Sequence, residues 1–264
     1  MNFKIKNIKF FLYFLLISLI TFSSSLIIYE RKDKIINKFN FRNNSSELSD
    51  SNNTSQIEKD WLTELRKGGY IVFLRHTERD KWKDVSAYDL LELKILNKEN
   101  NFQNSAENEY FADSVCLNKR GKIQSKMIKE IFDYSGVKFN YVSSSPICRS
   151  KQTALLISNE IDDVNKKLVH SGAITSQTIN EWRNNLKNYL LEVPIQENQN
   201  TLITAHGKMI VKEMFDNEIM SKEIGGPNFI IEEGGFFIIS RKDNKLYMNK
   251  QYTKFYDFSK KVFK

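Results

Sequence analysis

The chain has 264 residues, 41% of them hydrophobic and 27% charged, with a formal net charge of +8. These values exclude a disordered or low-complexity polypeptide and leave room for one domain of ordinary size with an appendage. Cysteine occurs only at Cys116 and Cys148 and histidine only at His76, His170 and His206, a spacing that excludes a zinc-type cluster, so neither a metal nor an organic cofactor is expected.

The excess lysines stand mostly alone along the chain. That pattern suits an anionic ligand or a membrane surface, and no nucleic-acid partner is expected. Residues 1–9 are basic (Lys4, Lys6, Lys9), and residues 10–29 then run uncharged from Phe10 to Tyr29. At the helical rise such a run spans roughly 30 Å, the thickness of a bilayer's hydrocarbon core. It predicts a single transmembrane anchor. A cleaved signal peptide competes, since Ser23-Ser24-Ser25 supplies small residues, but Leu26-Ile27-Ile28 prolongs the apolar stretch beyond them. Basic residues also follow the span (Arg31, Lys32, Lys34), so the flanking charge does not orient it. The expectation is a cell-membrane protein with its folded body outside the cytoplasm. Residues 30–56, rich in Asn and Ser from Asn40 onward, read as a flexible linker, and residues 57–264 as the folded domain.

In that domain Ile57, Trp61, Leu62 and Leu65 recur at helical spacing up to Gly68-Gly69. Tyr70 to Leu74 is an apolar run that ends abruptly in Arg75-His76-Thr77-Glu78. It predicts a strand buried on both faces that delivers a cation and a nucleophile at its carboxyl end, where open α/β sheets bind ligands. Residues 79–115 are weakly patterned. A helix over Val85–Leu96 is expected, then a long polar loop that either shapes a substrate or is a tolerated insertion.

Asn118 caps a helix running to about Tyr134, with Ile123, Met127, Ile128 and Ile131 as its apolar face and Gly136 as its end. Gly121, inside its first turns, predicts close packing against another backbone. A strand at Phe139–Val142 leads into Ser143-Ser144-Ser145-Pro146-Ile147-Cys148-Arg149. Here Ser145 is the expected N-cap and Pro146 the first helical residue, so that free N–H groups and Arg149 form an anion site. His170 carries no comparable signature and is expected to be structural.

Ser176–Leu191 predicts an amphipathic helix with Ile179, Trp182, Leu186, Tyr189 and Leu190 inward. Thr201 to Ala205 is a second strand ending in histidine, His206-Gly207, with a helix expected over Lys208–Phe215. After Gly225-Gly226-Pro227, Phe236–Ser240 and Lys245–Asn249 form a closing hairpin around Lys242-Asp243-Asn244.

Taken together, the ordered blocks strand-Arg75-His76, Leu117-Asn118-x-x-Gly121-x-x-Gln124, Ser144-Ser145-Pro146-x-x-Arg149-x-x-Gln152-Thr153-Ala154 and strand-His206-Gly207 resemble the histidine phosphatase superfamily over about residues 68–240. The resemblance implies an α/β fold, a three-layer αβα sandwich with a mostly parallel central sheet, of the phosphoglycerate mutase-like type. It also implies a phosphoric monoester hydrolase that needs no metal and acts on a small-molecule or macromolecular phosphate ester. His76 would take the phosphoryl group as a phosphohistidine, and Arg75, Arg149 and His206 would bind its oxygens. Glu78 occupies the place of a supporting glutamate. The leaving-group acid is not marked by a motif: Glu181 is one candidate, and Glu78, Asp80 and Asp113 are alternatives. Thr77 replaces the usual glycine and is expected to narrow the pocket. Cys116 and Cys148 stand where a small bacterial branch carries cysteines, so a disulfide and two buried thiols are both open. A non-catalytic module that binds a phosphate ligand or phosphoprotein is the alternative function.

Overall fold

The computed structural model describes residues 60–99, 106–173, 176–216 and 229–264. The expected membrane span, the linker and Gly225-Gly226-Pro227 lie outside the described residues. Among the described residues no helix is long and apolar enough to cross a membrane.

Asp60 accepts from the Leu62 N–H and opens α1 (Trp61–Lys67), which ends at Gly68 with φ 80°. An added Cβ at Gly68 would lie 2.2 Å from the Gln199 nitrogen, so only glycine fits that turn. The chain then enters β1 (Ile71–Arg75). Helix α2 (Val85–Glu99) and the short α3 (Ala112–Val115) follow, and then α4 (Lys119–Ser135), β2 (Phe139–Ser144) and α5 (Cys148–Ser158). Next come β3 (Asp163–Val164), α6 (Ile179–Glu192), β4 (Asn200–Ala205), the hairpin β5 (Phe236–Lys242) and β6 (Lys245–Tyr252), and α7 (Phe255–Val262).

The six strands form one sheet in the order β3-β2-β4-β1-β5-β6. The four strands from β3 to β1 are parallel, while β5 and β6 add antiparallel to the edge beyond β1. The sheet is therefore mixed, with a parallel half that carries the strand ends of interest. Asp243 and Asn244, both at positive φ, make the tight turn of the hairpin.

Alternate residues of each strand feed two cores, one on each face. Ile71, Phe73, Ile203, Phe237 and Ile239 pack with Trp182, Leu186 and Leu190 of α6. Val72, Leu74, Leu202, Phe236 and Ile238 pack with α1, α4, α5 and α7 through Leu65, Ile128, Phe132, Ala154, Ile157, Phe255 and Phe258. This is the expected three-layer arrangement, and a strand buried on both faces accounts for the unbroken apolar run at 70–74.

Four local expectations need correction. The buried face of α4 is Gly121, Ser125, Ile128, Phe132 and Ser135, whereas Ile123 and Met127 are 60% and 58% exposed. Small residues face inward because α4 lies close against its neighbours. In α6, Ile179 is exposed while Trp182, Leu186, Tyr189 and Leu190 are buried. The expected helix at 208–215 is instead a turn with Lys208 at φ 60° and one 3-10 turn at Lys212–Met214. Helix α5 starts at Cys148, with Ile147 as its N-cap residue and no side-chain cap. Ser145 is drawn elsewhere, and that displacement matters for the site.

Candidate active site

The carboxyl ends of β2, β4 and β1 lie side by side. Arg75 pairs with Ala205 and Ser144 with Thr204 in the parallel registers. The pairing continues past the strands, with His76 N–H donating to Ala205 O at 2.9 Å and Ser145 N–H to Thr204 O at 3.0 Å. Residues 76, 145 and 206 therefore leave the sheet together. This register brings two histidines 130 positions apart in sequence to a ring-centroid separation of 5.5 Å.

Each ring is held in a definite tautomer. His76 Nδ1 is 2.8 Å from the Thr77 carbonyl oxygen. A carbonyl only accepts, so Nδ1 carries the proton and Nε2 is left with its lone pair. Arg149 Nε donates towards that Nε2 at 3.2 Å. Arg149 Nη2 approaches His206 Nδ1 at 3.2 Å, and His206 Nε2 then donates to Ser145 Oγ at 2.9 Å. Ser145 thus orients a histidine instead of capping α5. The first N–H of α5, on Cys148, is taken by Glu92 Oε1 at 2.9 Å, so the helix terminus is closed by a carboxyl group.

Arg149 is itself fixed by a fork-on-fork pair with Asp89, at 2.6 Å and 2.9 Å, both side chains being buried. Burial alone would raise the Asp89 pKa, but hydrogen bonds from Arg149 and His170 outweigh it and hold the carboxyl below its usual range. Burial, followed by the Arg149 charge, pushes both His76 and His206 well below the ordinary histidine value. The shift favours the neutral form of both imidazoles, which leaves His76 Nε2 a lone pair able to act as a nucleophile. Burial also lowers Arg75 and Arg79, whose guanidiniums share the site with Arg149.

The fold brings Arg75, Arg149, His76 and His206 together. Arg75 Nη1 donates to Ile231 O at 2.9 Å and Nη2 lies 3.6 Å from Glu233 Oε1. A Cβ at Gly207 would sit 3.0 Å from Arg75 Nε, so glycine there makes room for the guanidinium. Glu78 accepts from Asn118 at 3.1 Å and pairs with Arg120. Glu181 closes the capping box of α6, with Thr178 N–H and Oγ1 both donating to its Oε2 at 2.8 Å. Asp80 and Asp113 are exposed, and Asp80 accepts from Asn118 at 3.0 Å.

Thr77 does not narrow the pocket. Its buried hydroxyl donates to Gly121 O at 2.9 Å and bonds Ser125 Oγ at 2.7 Å, while its N–H reaches Thr153 Oγ1 at 3.1 Å. It ties the His76 loop to α4 and α5. A cavity of about 330 Å³ opens beside Arg75, lined by Glu78, Lys81, Gln124, Glu232 and Glu233. Among the described residues no group of three or more His, Cys, Asp or Glu is placed to hold a metal.

Two site residues escape the sequence reading. His170 Nε2 lies 2.7 Å from Asp89 Oδ2, and its ring is 4.9 Å from that of His206. It is not a remote structural residue. Asp89 sits in the weakly patterned stretch, and the only sequence signal is that Asp89, Glu92 and Leu96 share one face of α2 and are all buried. Cys116 and Cys148 form a disulfide next to Arg149, joining the segment before α4 to the first residue of α5.

No protein-family model and no curated relative matches the sequence. Similar solved structures include the protein histidine phosphatase SixA complexed with tungstate, at 13% identity and a TM-score of 0.42, covering 69% of this chain and 96% of that one. The alpha-ribazole phosphatase from Shigella flexneri gives the same identity, coverage and TM-score. A phosphoserine phosphatase variant from Entamoeba histolytica bound to phosphoserine is 12% identical, with 69% and 96% coverage and a TM-score of 0.42.

Proposed function

We propose that the chain is a phosphomonoesterase that works through a phosphohistidine at His76 and requires no metal. The observation that carries the reading is the tautomer of His76. With Nδ1–H on the Thr77 carbonyl, the Nε2 lone pair faces the anion-binding edge of Arg149. A phosphoryl group placed there meets a neutral nucleophile and the positive charge that phosphoryl transfer needs. Arg75, Arg149 and His206 bind the transferring oxygens, and Glu78 supports the Asn118 end of α4. Water then attacks phosphorus, breaks the N–P bond and releases phosphate.

The same reading places the domain on a membrane. The uncharged run at 10–29 supports a single-pass anchor, and the Cys116–Cys148 disulfide supports an oxidising, extracytoplasmic setting.

The test is phosphate release from an aryl phosphate across pH 4–8 with chelator present, comparing the wild type with His76→Ala. Activity that survives chelator and disappears in the variant is expected, with a phosphoenzyme trapped only in the wild type. No activity above the variant at any pH would overturn the reading and favour a phosphate-binding module.

A further inference from the structure

We infer that His170, held by Asp89, is the acid that protonates the leaving group, and that the enzyme is therefore built for alkyl phosphates. This rests on the phosphohistidine reading of the site. The guanidinium of Arg149 links the two sides of the site and gives it a direction. Its Nε edge meets the nucleophilic nitrogen of His76 at 3.2 Å, while its Nη edge meets Asp89, which in turn holds His170 Nε2 at 2.7 Å. In-line displacement sends the leaving oxygen away from His76, towards the edge where His170 stands. Of the three histidines, His170 alone is solvent-accessible, at 19% of its side chain, whereas His76 and His206 are buried. A departing alcohol and an incoming water both need that access.

Asp89 gives His170 what a histidine acid requires. It is ionised, fully buried, and bonded directly to the ring, so it fixes the imidazole and stabilises the imidazolium. The carboxyl groups otherwise on hand are less suited. Glu92 is fully buried against the start of α5. Glu181 is committed to its helix cap, Glu78 to Asn118 and Arg120, and Glu233 lies on the Arg75 side.

The ester P–O bond breaks as the His76 Nε2–P bond forms, and a proton from His170 Nδ1, with Nε2 held by Asp89, passes to the ester oxygen, releasing a neutral alcohol. In the second half neutral His170 takes a proton from the attacking water, the N–P bond breaks, and phosphate leaves. His170 thereby regains the proton it gave up, and His76 regains its lone pair.

An acid of this kind matters in proportion to the basicity of the leaving group. The experiment measures kcat/KM of the full-length protein for p-nitrophenyl phosphate, phenyl phosphate and glycerol 2-phosphate, with His170→Asn, His170→Glu and Glu233→Gln alongside. His170→Asn is expected to lose about a hundredfold or more on glycerol 2-phosphate and only a few-fold on p-nitrophenyl phosphate. His170→Glu, which restores an acid, should recover part of the alkyl activity, and Glu233→Gln should lose equally on all three esters. Equal losses in His170→Asn across the series, or a leaving-group-dependent loss in Glu233→Gln instead, would overturn the assignment while the trapped phosphoenzyme at His76 still stood. Failure to trap that phosphoenzyme would remove both readings.

Discussion

Asp89 is the residue on which the candidate site turns, because one carboxylate satisfies both the Arg149 fork and His170. Removing it leaves a guanidinium buried without its partner. Asp89→Ala is therefore expected to lower stability by about 3–5 kcal/mol, read as a shift of the denaturant midpoint with an unchanged slope, and to abolish aryl phosphatase activity. Glu92, one turn further along α2, behaves oppositely. Burial pushes its pKa up to about 8, above the usual value of about 4.3 for an unfolded chain. Between those values the folded state binds the extra proton, so this group's contribution to stability falls as pH rises through the window. His76 and His206 are depressed in the fold; their contribution is present above about pH 6.5 and falls as pH drops below it. From pH 6.5 to 8 the Glu92 trend stands alone among these groups. Glu92→Gln keeps the acceptor for Cys148 N–H and should flatten stability across that interval. A wild-type-like decline in the variant would refute the assignment.

Helix α4 is set against the His76 loop through backbone contact. A Cβ at Gly121 would lie 1.9 Å from the Glu78 carbonyl oxygen, and the Gly121 carbonyl in turn accepts from Thr77. Gly121→Ala would gain helix propensity in isolation, yet here it must push α4 off the loop that carries His76. A net destabilisation of about 1–3 kcal/mol together with a loss of kcat is expected, measured by thermal melts and aryl phosphate turnover. Thr77→Gly should loosen the same junction through the loss of the hydroxyl bonds to Gly121 and Ser125. Helix α5 shows the complementary arrangement. Its start is closed by the Glu92 carboxyl, and Ser145 is released to orient His206.

The disulfide joins residues 32 apart and links the approach to α4 with the start of α5, on either side of Arg149. Chain-entropy arguments assign a closure of this length about 3–4 kcal/mol. Melting of the wild type under reducing conditions, or of Cys116→Ser with Cys148→Ser, should show a loss of that order, and an unchanged melting temperature would contradict it. Both cores, the six-stranded sheet and the bridge lie within residues 60–264, so the loss should be a cooperative shift of the whole transition.

Much of this was legible in the residues alone, for a local reason. A strand buried on both faces needs an unbroken apolar run, a tight turn needs glycine or asparagine, and a polar residue ending such a run is conspicuous; Arg75, His76 and His206 could be read on those grounds, and Arg149 from its place one turn into the helix after Ser145-Pro146. The inward face of α4 was misread because Gly121 and Ser125 are buried for closeness, not hydrophobicity. Asp89 and His170 could not be read at all. Nothing adjacent to either marks them, and their meaning arises only when α2 and the segment after β3 fold over the strand ends and bring a carboxylate, a guanidinium and an imidazole within hydrogen-bond reach. The chain by itself determined the strands, the turns and the anion-binding groups, since those depend on neighbours in sequence. The tertiary structure alone decided that Asp89 joins Arg149 to His170, since that depends on contacts closed across 60 to 81 positions.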